Sequence, residues 1–459
     1  MYYTSSLFSL QEFEMKIVII GGIAAGMSAA AKARRVSKDA EIIVYEMGDI
    51  ISFGACGLPY YVGDFFQDPN YMIARKADKM REAGIDVRTQ HQVLSLSPEH
   101  KTIEVKDLQN GETFTQHYDK LMIATGANVI KPPFENLDLS NIFTLTKMED
   151  GKKLKEIAMK KEIKDVTIIG AGFIGIEVVE AMKNLGKHVR LIQRSSRVFN
   201  RLFDARITDL MQEELLSHGV ELVFNEAVKG FEGEHAVARV ETDKNTYHTD
   251  LVIIATGFKP NTEFLEGTPV KRLVNGAVIV NKRGESSVAD IYAAGDCATV
   301  PHMVSKEDVY LPLATGANKL GRIVGTNIAG GDAVYPGSLG SSCIKVMDCE
   351  AAKTGLDEAG AKAAGFVCNT VFIKDKNQTN YYPGQEDIYI KLVYEKESKI
   401  ILGGEIFGKK GAALRIDVIA MAIKAQMTTT DLGFMDFCYA PPISKTWDPL
   451  NVAGNAAKS

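Results

Sequence analysis

K-I-V-I-I-G-G-I-A-A-G, residues 16 to 26, is an apolar, branched run that ends in a glycine-rich loop, and an alanine-rich segment from Met27 to Val36 follows it. Branched apolar residues closed by glycine read as a buried strand, and the alanine-rich segment as a helix. A further apolar run, Glu41 to Tyr45, ends in Glu46. Strand, turn, helix and strand make a βαβ unit, in which a dinucleotide pyrophosphate rests on the helix N-terminus and an acid about 20 residues on accepts from the ribose. The middle glycine of GxGxxG is replaced by Ile23, so the flanking elements and Glu46 carry the reading with the glycines. Gly21, Gly22, Ala24, Gly26 and Glu46 are the candidate contacts.

The pattern recurs at Val166 to Ile169, with G-A-G-F-I-G at Gly170 to Gly175, a helix to Leu185 and a strand from His188 to Ile192. Here the fingerprint is complete, and Gly170, Gly172 and Gly175 are the expected contacts. The strand ends in Gln193-Arg194, with Arg197 beyond, in place of the ribose-binding acid. Loss of the acid removes repulsion toward a 2′-phosphate and the arginines supply donors, which points to NADPH or to relaxed use of NADPH and NADH; solvated arginines are the plain alternative.

Two similar strand ends join the units. L-M-I-A-T-G closes at Ala124, Thr125 and Gly126, and L-V-I-I-A-T-G closes at Gly257. Each reads as the crossover by which the chain leaves one nucleotide unit for the other, so the second is expected as an insertion in the first. The expected boundaries are 15–126 with 257–334 for the first domain, 127–256 for the second and 335–459 for a third. D-I-Y-A-A-G-D-C-A at Asp290 to Ala298 is read as a buried strand whose carboxylate, Asp296, stands at the start of a helix. Asp296 there would accept from a ribityl hydroxyl, which makes the first dinucleotide FAD, with Ala314 completing the candidate set. The third segment reads as strands at Asp387 to Tyr394 and Ile400 to Phe407, then an apolar helix at Ala413 to Ala425. The fold class is α/β, two nested Rossmann-like domains followed by an α+β unit.

The 459 residues exceed one core and carry a net charge of −5, so no basic field advertises nucleic acid or anionic membrane. No apolar run reaches the ~18 residues of a membrane span. Residues 1–14 lack the marks of a signal peptide and are expected to be a leader outside the fold. The six cysteines have no CxxC spacing, so no metal site is suggested and a reducing, cytoplasmic compartment is expected.

Ile51 to Gly63, I-S-F-G-A-C-G-L-P-Y-Y-V-G, holds one cysteine among small residues. Pro59 suits a first helical position, and a helix N-terminus lowers a neighbouring thiol's pKa. Cys56 is therefore expected as a thiolate; a small core residue is the alternative.

These motifs, with Y-A-A-G-D-C-A and Y-A-P-P, resemble the FAD-dependent pyridine nucleotide–disulfide oxidoreductases from Met15 onward. The chain is most similar to their single-cysteine branch, which contains coenzyme A disulfide reductase, NADH oxidase, NADH peroxidase and the persulfide reductases. The dithiol members place a second cysteine five residues on, where this chain has Tyr61, and carry a C-terminal histidine as base, whereas this chain has none beyond His302. Peroxidase and oxidase members carry a histidine in the first glycine loop, where this chain has Ala24. The resemblance therefore implies NAD(P)H-driven, FAD-dependent reduction of coenzyme A disulfide, with Cys56 cycling through a mixed disulfide. Persulfide or polysulfide reduction and oxygen reduction are the alternatives. It further implies a homodimer, in which the partner's third domain supplies Tyr439 and Tyr381, with Tyr382 as the neighbouring alternative. The nucleotide end of coenzyme A is expected on Lys32, Arg35, Arg75, Lys76 and Lys79, with Ser28 and Ser52 as polar contacts. Some relatives have an asparagine before the cysteine, where this chain has Ala55.

Overall fold

Ile291–Ala293, Lys120–Ile123, Lys16–Ile20, Glu41–Tyr45 and Asp86–Arg88, in that order, form an all-parallel sheet in the computed structural model. The structure describes residues 15–200 and 202–457; the expected leader, 1–14, lies outside the described residues. Parallel strands covered on both faces are continuously apolar, and Ile17, Val18 and Ile19 are wholly buried. The helix after the first strand runs Ala24–Val36, three residues earlier than its alanine-rich stretch suggests, because the loop closes at Ile23.

A second parallel sheet has the order Val220–Phe224, His188–Gln193, Asp165–Ile169, Leu251–Ile254, Ile142–Phe143. It is nested in the first unit by two crossing segments. Ala127–Val129 leaves after Gly126, Phe258–Pro260 returns after Gly257, and the two pair antiparallel. Thr125 Oγ1 donates to the Asn261 carbonyl at 2.6 Å and Thr256 Oγ1 to the Ile130 carbonyl at 2.6 Å. The expected crossovers thus become a short ribbon pinned by its two threonines.

The third unit is an antiparallel sheet, Ser342–Val346, Cys349–Gly355, Ile401–Gly408, Asp387–Glu395, Cys368–Lys376. One face packs on the helix Ile416–Lys424, through Ile388, Ile390, Ile406, Ile416 and Ile419. Ile344, Val346 and Phe407 instead share a core with Ile168, Val179 and Met182 of the second unit. The apolar helix starts later than its sequence suggests because Ala413–Arg415 forms a 3₁₀ turn first. Among the described residues no helix is long and apolar enough to cross a membrane.

The first unit closes when the helix Ala314–Asn327 lies against Ala24–Val36. A Cβ on Gly321 would stand 2.5 Å from the Ala25 carbonyl oxygen, and one on Gly325 2.3 Å from that of Ala29. Gly325→Ala must therefore part the two helices. Overpacking of this kind costs about 1–3 kcal/mol, so urea denaturation should show a loss of that size; wild-type stability would mean that the helices are not in backbone contact.

Candidate active site

The Cys56 loop is built on the first glycine loop. Ser52 N donates to the Gly22 carbonyl at 2.9 Å, with Ser52 itself in the left-handed region at φ 50°. Ala74 N donates to Ser52 O at 3.0 Å and Gly54 N to Met72 O at 2.8 Å, which lays the chain after the loop alongside it. Ala55–Gly57 forms a 3₁₀ turn and Leu58–Val62 a short helix. Pro59 falls at the second helical position, one later than expected, since Leu58 already has helical geometry.

That short helix is wedged between two helices of the second unit. A Cβ on Gly151 would stand 2.6 Å from Leu58 Cδ2, and one on Gly63 2.7 Å from Ala181 Cα. Asn184 Nδ2 donates to Gly63 O at 2.7 Å, and Lys155 pairs with Asp64 at 2.7 Å. Cys56 therefore sits where the two nucleotide units meet.

The thiol is free and open to solvent in the chain, but its electrostatics are the reverse of the sequence expectation. Burial of its surroundings pushes its pKa up, the charges of Glu177 and Asp296 add to this, and only a backbone N–H opposes. A five-residue helix whose second residue is proline offers too few free N–H groups to win. Glu177, from the helix Phe173–Asn184, is itself pushed up to about 7 by burial and by Glu180. Glu180 is buried and bonded to Lys345 Nζ of the third sheet. Tyr60 is pushed up to about 12 by burial, then by Glu177 and Glu180, with Cys56 and Cys343 also in range. Glu177, Tyr60 and Lys345 escaped the sequence reading; the signal was a pair of acids inside the apolar run F-I-G-I-E-V-V-E.

The expected FAD residues are brought together. Gly22 N donates to Glu46 Oε2 and Gly48 N to Glu46 Oε1, both at 2.7 Å, so this carboxylate fixes the loop and keeps a lone pair on each oxygen. Gly21 is pressed on Ala124, and Gly26 on Gly21. A Cβ on Gly126 would meet nothing within 4 Å. Asp296 stands in a turn after Ile291–Ala293, not at a helix start: the next helix begins at Ala314. Its carboxyl is pushed up by burial and bonds to no described side chain. An unpartnered, largely buried acid beside a glycine cradle and the exposed helix start at Ala314 fits a polyhydroxylated dinucleotide. Cys297 is fully buried, a core residue.

In the second unit Gly170 and Gly175 repeat the contacts of Gly21 and Gly26, while a Cβ on Gly172 would meet open space, as would suit an approaching pyrophosphate. Gln193 Nε2 donates to Ser195 Oγ at 3.0 Å. Arg194 is exposed and has no partner among the described residues, but Arg197 is spent on Thr208 and Asp209 at 2.9 Å. The expected pair of arginine donors is thus reduced to Arg194.

Lys32, Arg35, Arg75 and Lys76 have no partner among the described residues, whereas Lys79 pairs with Glu82 at 2.7 Å and Ser28 Oγ donates to Asn318 at 2.7 Å. Arg75 follows the Ala74–Ser52 bond and so lies by the Cys56 loop; no contact joins it to Lys32 or Arg35. Tyr381 and Tyr439 do meet, hydroxyl to hydroxyl at 2.6 Å, in the third unit, 70% and 43% exposed. No bond within the chain links them to Cys56.

Residues 15–319 match the pyridine nucleotide-disulphide oxidoreductase family, and residues 341–450 that family's dimerisation domain. The NAD(P)H sulfur oxidoreductase (CoA-dependent) of Pyrococcus furiosus is 39% identical over 443 residues, 96% of this chain and 99% of that protein. The coenzyme A disulfide reductase of Staphylococcus aureus is 32% identical over 96% of this chain and 100% of its own. Among solved structures, an engineered water-forming NADPH oxidase bound to NADPH superposes with a TM-score of 0.92 at 34% identity, over 96% of this chain and 98% of that one.

Above about pH 7 Glu177 carries the charge that disfavours the Cys56 thiolate. Glu177→Gln removes it, so the pH profile of Cys56 alkylation should move to lower pH. An unmoved profile would show that Glu177 does not act on the thiol.

Proposed function

Because this chain belongs to the pyridine nucleotide-disulphide oxidoreductase family, we propose that it uses NAD(P)H to reduce the disulfide of coenzyme A at Cys56. The observation that carries this is the unpaired, solvent-open Cys56 on a loop bonded to the first glycine cradle and wedged on the second unit's helix. With Tyr61 five residues on, no second cysteine stands at the dithiol spacing, and in this reading the sulfur partner comes from outside the chain. In this reading 15–126 with 257–334 holds FAD through Gly21, Gly22, Ala24, Gly26, Glu46, Gly126, Asp296 and Ala314. The segment 127–256 holds NAD(P)H through Gly170, Gly172, Gly175, Gln193, Arg194 and Gly257. FAD held there supplies two-electron transfer between nicotinamide and sulfur.

The protein's own part is thiol chemistry. Cys56 gives up its proton, with Glu177, whose pKa of about 7 suits the task, as the acceptor. Its thiolate attacks one sulfur of the disulfide, forming the Cys56–coenzyme A bond and releasing one coenzyme A thiolate, which takes a proton. Two electrons and two protons then cleave the mixed disulfide to a second coenzyme A thiol and the Cys56 thiol. Arg75 and Lys76, with Lys32 and Arg35, are the free cations for the phosphorylated nucleotide. Residues 335–459 pair with a second copy, whose Tyr381 and Tyr439 close over Cys56. The exposed Phe434, Ile443 and Trp447 of the same unit support a covered surface. Such a thiol cycle belongs in a reducing compartment, the cytoplasm.

A coenzyme A persulfide is the second reading, favoured by the 39% identity with the CoA-dependent sulfur oxidoreductase. Oxygen reduction is less favoured, with Ala24 where oxidase relatives carry a histidine. For the nicotinamide, the engineered NADPH oxidase replaces an Asp-Ala-Met run by Ala-Arg-Ser, and Gln193-Arg194-Ser195 presents a similar acid-free Arg-Ser pair.

Cys56→Ser should keep FAD and lose NAD(P)H-driven reduction of coenzyme A disulfide; retained turnover would end the assignment. A coenzyme A adduct on wild-type Cys56, seen by intact mass without reductant, distinguishes disulfide from persulfide chemistry, which would leave one added sulfur. Arg194→Ala should lower kcat/KM for NADPH by about 10- to 100-fold, the weight of one charge-assisted hydrogen bond, and leave NADH unaffected. Equal losses for both cofactors would remove Arg194 from the 2′-phosphate.

A further inference from the structure

The helices Ala24–Val36 and Ala314–Asn327 leave a polar groove along one edge of their contact. Gly321 faces Ala25 and Gly325 faces Ala29, so both sequences advance by four and the helices run in the same direction. At the edge of that contact Ser28 Oγ donates to Asn318 Oδ1 at 2.7 Å. One turn further on each helix stand Lys32 and Arg322, and Arg35 follows on the first. Arg35, Asn318 and Arg322 are exposed, Ser28 and Lys32 half-buried. The charge there is not neutralised within the chain. The protein carries −5 overall, yet A-A-G-M-S-A-A-A-K-A-R-R-V and A-T-G-A-N-K-L-G-R-I-V-G-T-N contain no acid between them. Arg34, on the other side of its helix, already donates to the carbonyls of Lys38, Ala40 and Gly84. Lys32, Arg35 and Arg322 have no partner among the described residues, whereas a merely solvated surface mixes both signs.

We propose that this groove takes the 3′-phosphorylated ribose of coenzyme A, and that Arg322, from the second helix, is the residue that selects for the phosphate. The inference rests on the coenzyme A reading above. Ser52 N donates to Gly22 O, which ties the Cys56 loop to the near end of Ala24–Val36. At about 1.5 Å per residue, Lys32 lies about 12 Å further along that axis than Ala24. A ligand with its sulfur at Cys56 and its anionic end in the groove is therefore an elongated one. A phosphate monoester brings nearly two negative charges and three acceptor oxygens, and a guanidinium can meet two of those oxygens at once. Lys32 and Arg35 supply charge from one wall only. Arg322 supplies it from the other, and the close contacts at Gly321 and Gly325 fix the spacing between the walls. Lys319 is an internal control. At about 100° per residue it points about 160° away from Gly321 around the axis, off the groove, while carrying the same charge on the same helix.

The test is equilibrium titration of FAD-loaded, full-length Cys56→Ser protein, which forms no mixed disulfide at that position, with coenzyme A and with 3′-dephospho-coenzyme A. The parent should bind coenzyme A the more tightly. Arg322→Ala should lower affinity for coenzyme A about tenfold, the lower end for a charge-assisted hydrogen bond, and leave the dephospho ligand unaffected. Arg322→Lys should restore part of the loss, and Lys319→Ala, with the same change in net charge, should bind as the parent does. Unchanged coenzyme A binding in Arg322→Ala, equal losses for both ligands, or an equal loss in Lys319→Ala would each overturn the role of Arg322 and leave the coenzyme A reading standing. A parent that binds neither ligand would end that reading and this inference together.

Discussion

Two carbonyl oxygens constrain the architecture. Ala124 O lies where a Cβ on Gly21 would be 2.2 Å away, and Ala255 O does the same to Gly170 at 2.3 Å. Both glycines are left-handed, at φ 106° and 108°, so no side chain fits by conformation or by space. The sixth residue of each fingerprint repeats the constraint: a Cβ on Gly26 or Gly175 would stand 1.9 or 2.0 Å from the carbonyl of Gly21 or Gly170. Each nucleotide strand, its loop and its helix start are thus locked to the A-T-G of a crossover. Because the two crossovers pair with each other, locking one unit positions the other.

The site inherits its electrostatics from that nesting. The helix Phe173–Asn184 must be apolar to pack between the Cys56 helix and the third sheet, yet it carries Glu177 and Glu180 three residues apart. Lys345 of the third sheet compensates Glu180. Glu177 has no such cation, and burial keeps its proton on to about pH 7. A buried acid without a partner is costly as an anion, so the charge state of Glu177 and that of Cys56 are set against each other. Three units therefore act on one thiol: the first supplies its loop and Asp296, the second Glu177, and the third the lysine that pairs Glu180.

Regular periodicity made the strands legible: Lys16–Ile20 and Glu41–Tyr45 fall where the apolar runs place them, and the two A-T-G ends mark the nesting. What failed did so where a local pattern met tertiary packing. Asp296 follows a strand and precedes a short turn, which sequence does not separate from a helix start. Arg197 reads as a free donor until the helix bearing Asp209 folds back on it. The thiolate expectation weighed a helix dipole without the two acids that only the fold brings near Cys56.

Proton supply bears on why a second copy belongs in the proposed reaction. The first thiol to leave coenzyme A disulfide needs a donor, and the chain's own groups near Cys56 serve poorly. Tyr60 is held far above neutrality by burial and then by the acids beside it, and Glu177 is wanted as an acceptor. The Tyr381–Tyr439 pair is arranged differently. Its two hydroxyls share one hydrogen bond of 2.6 Å in which either can be the donor, and the one that accepts keeps its own proton directed away from the pair. A hydroxyl that already accepts a hydrogen bond is the better donor in turn. In the proposed dimer the tyrosine that accepts this bond protonates the leaving thiolate, and the other holds it in place.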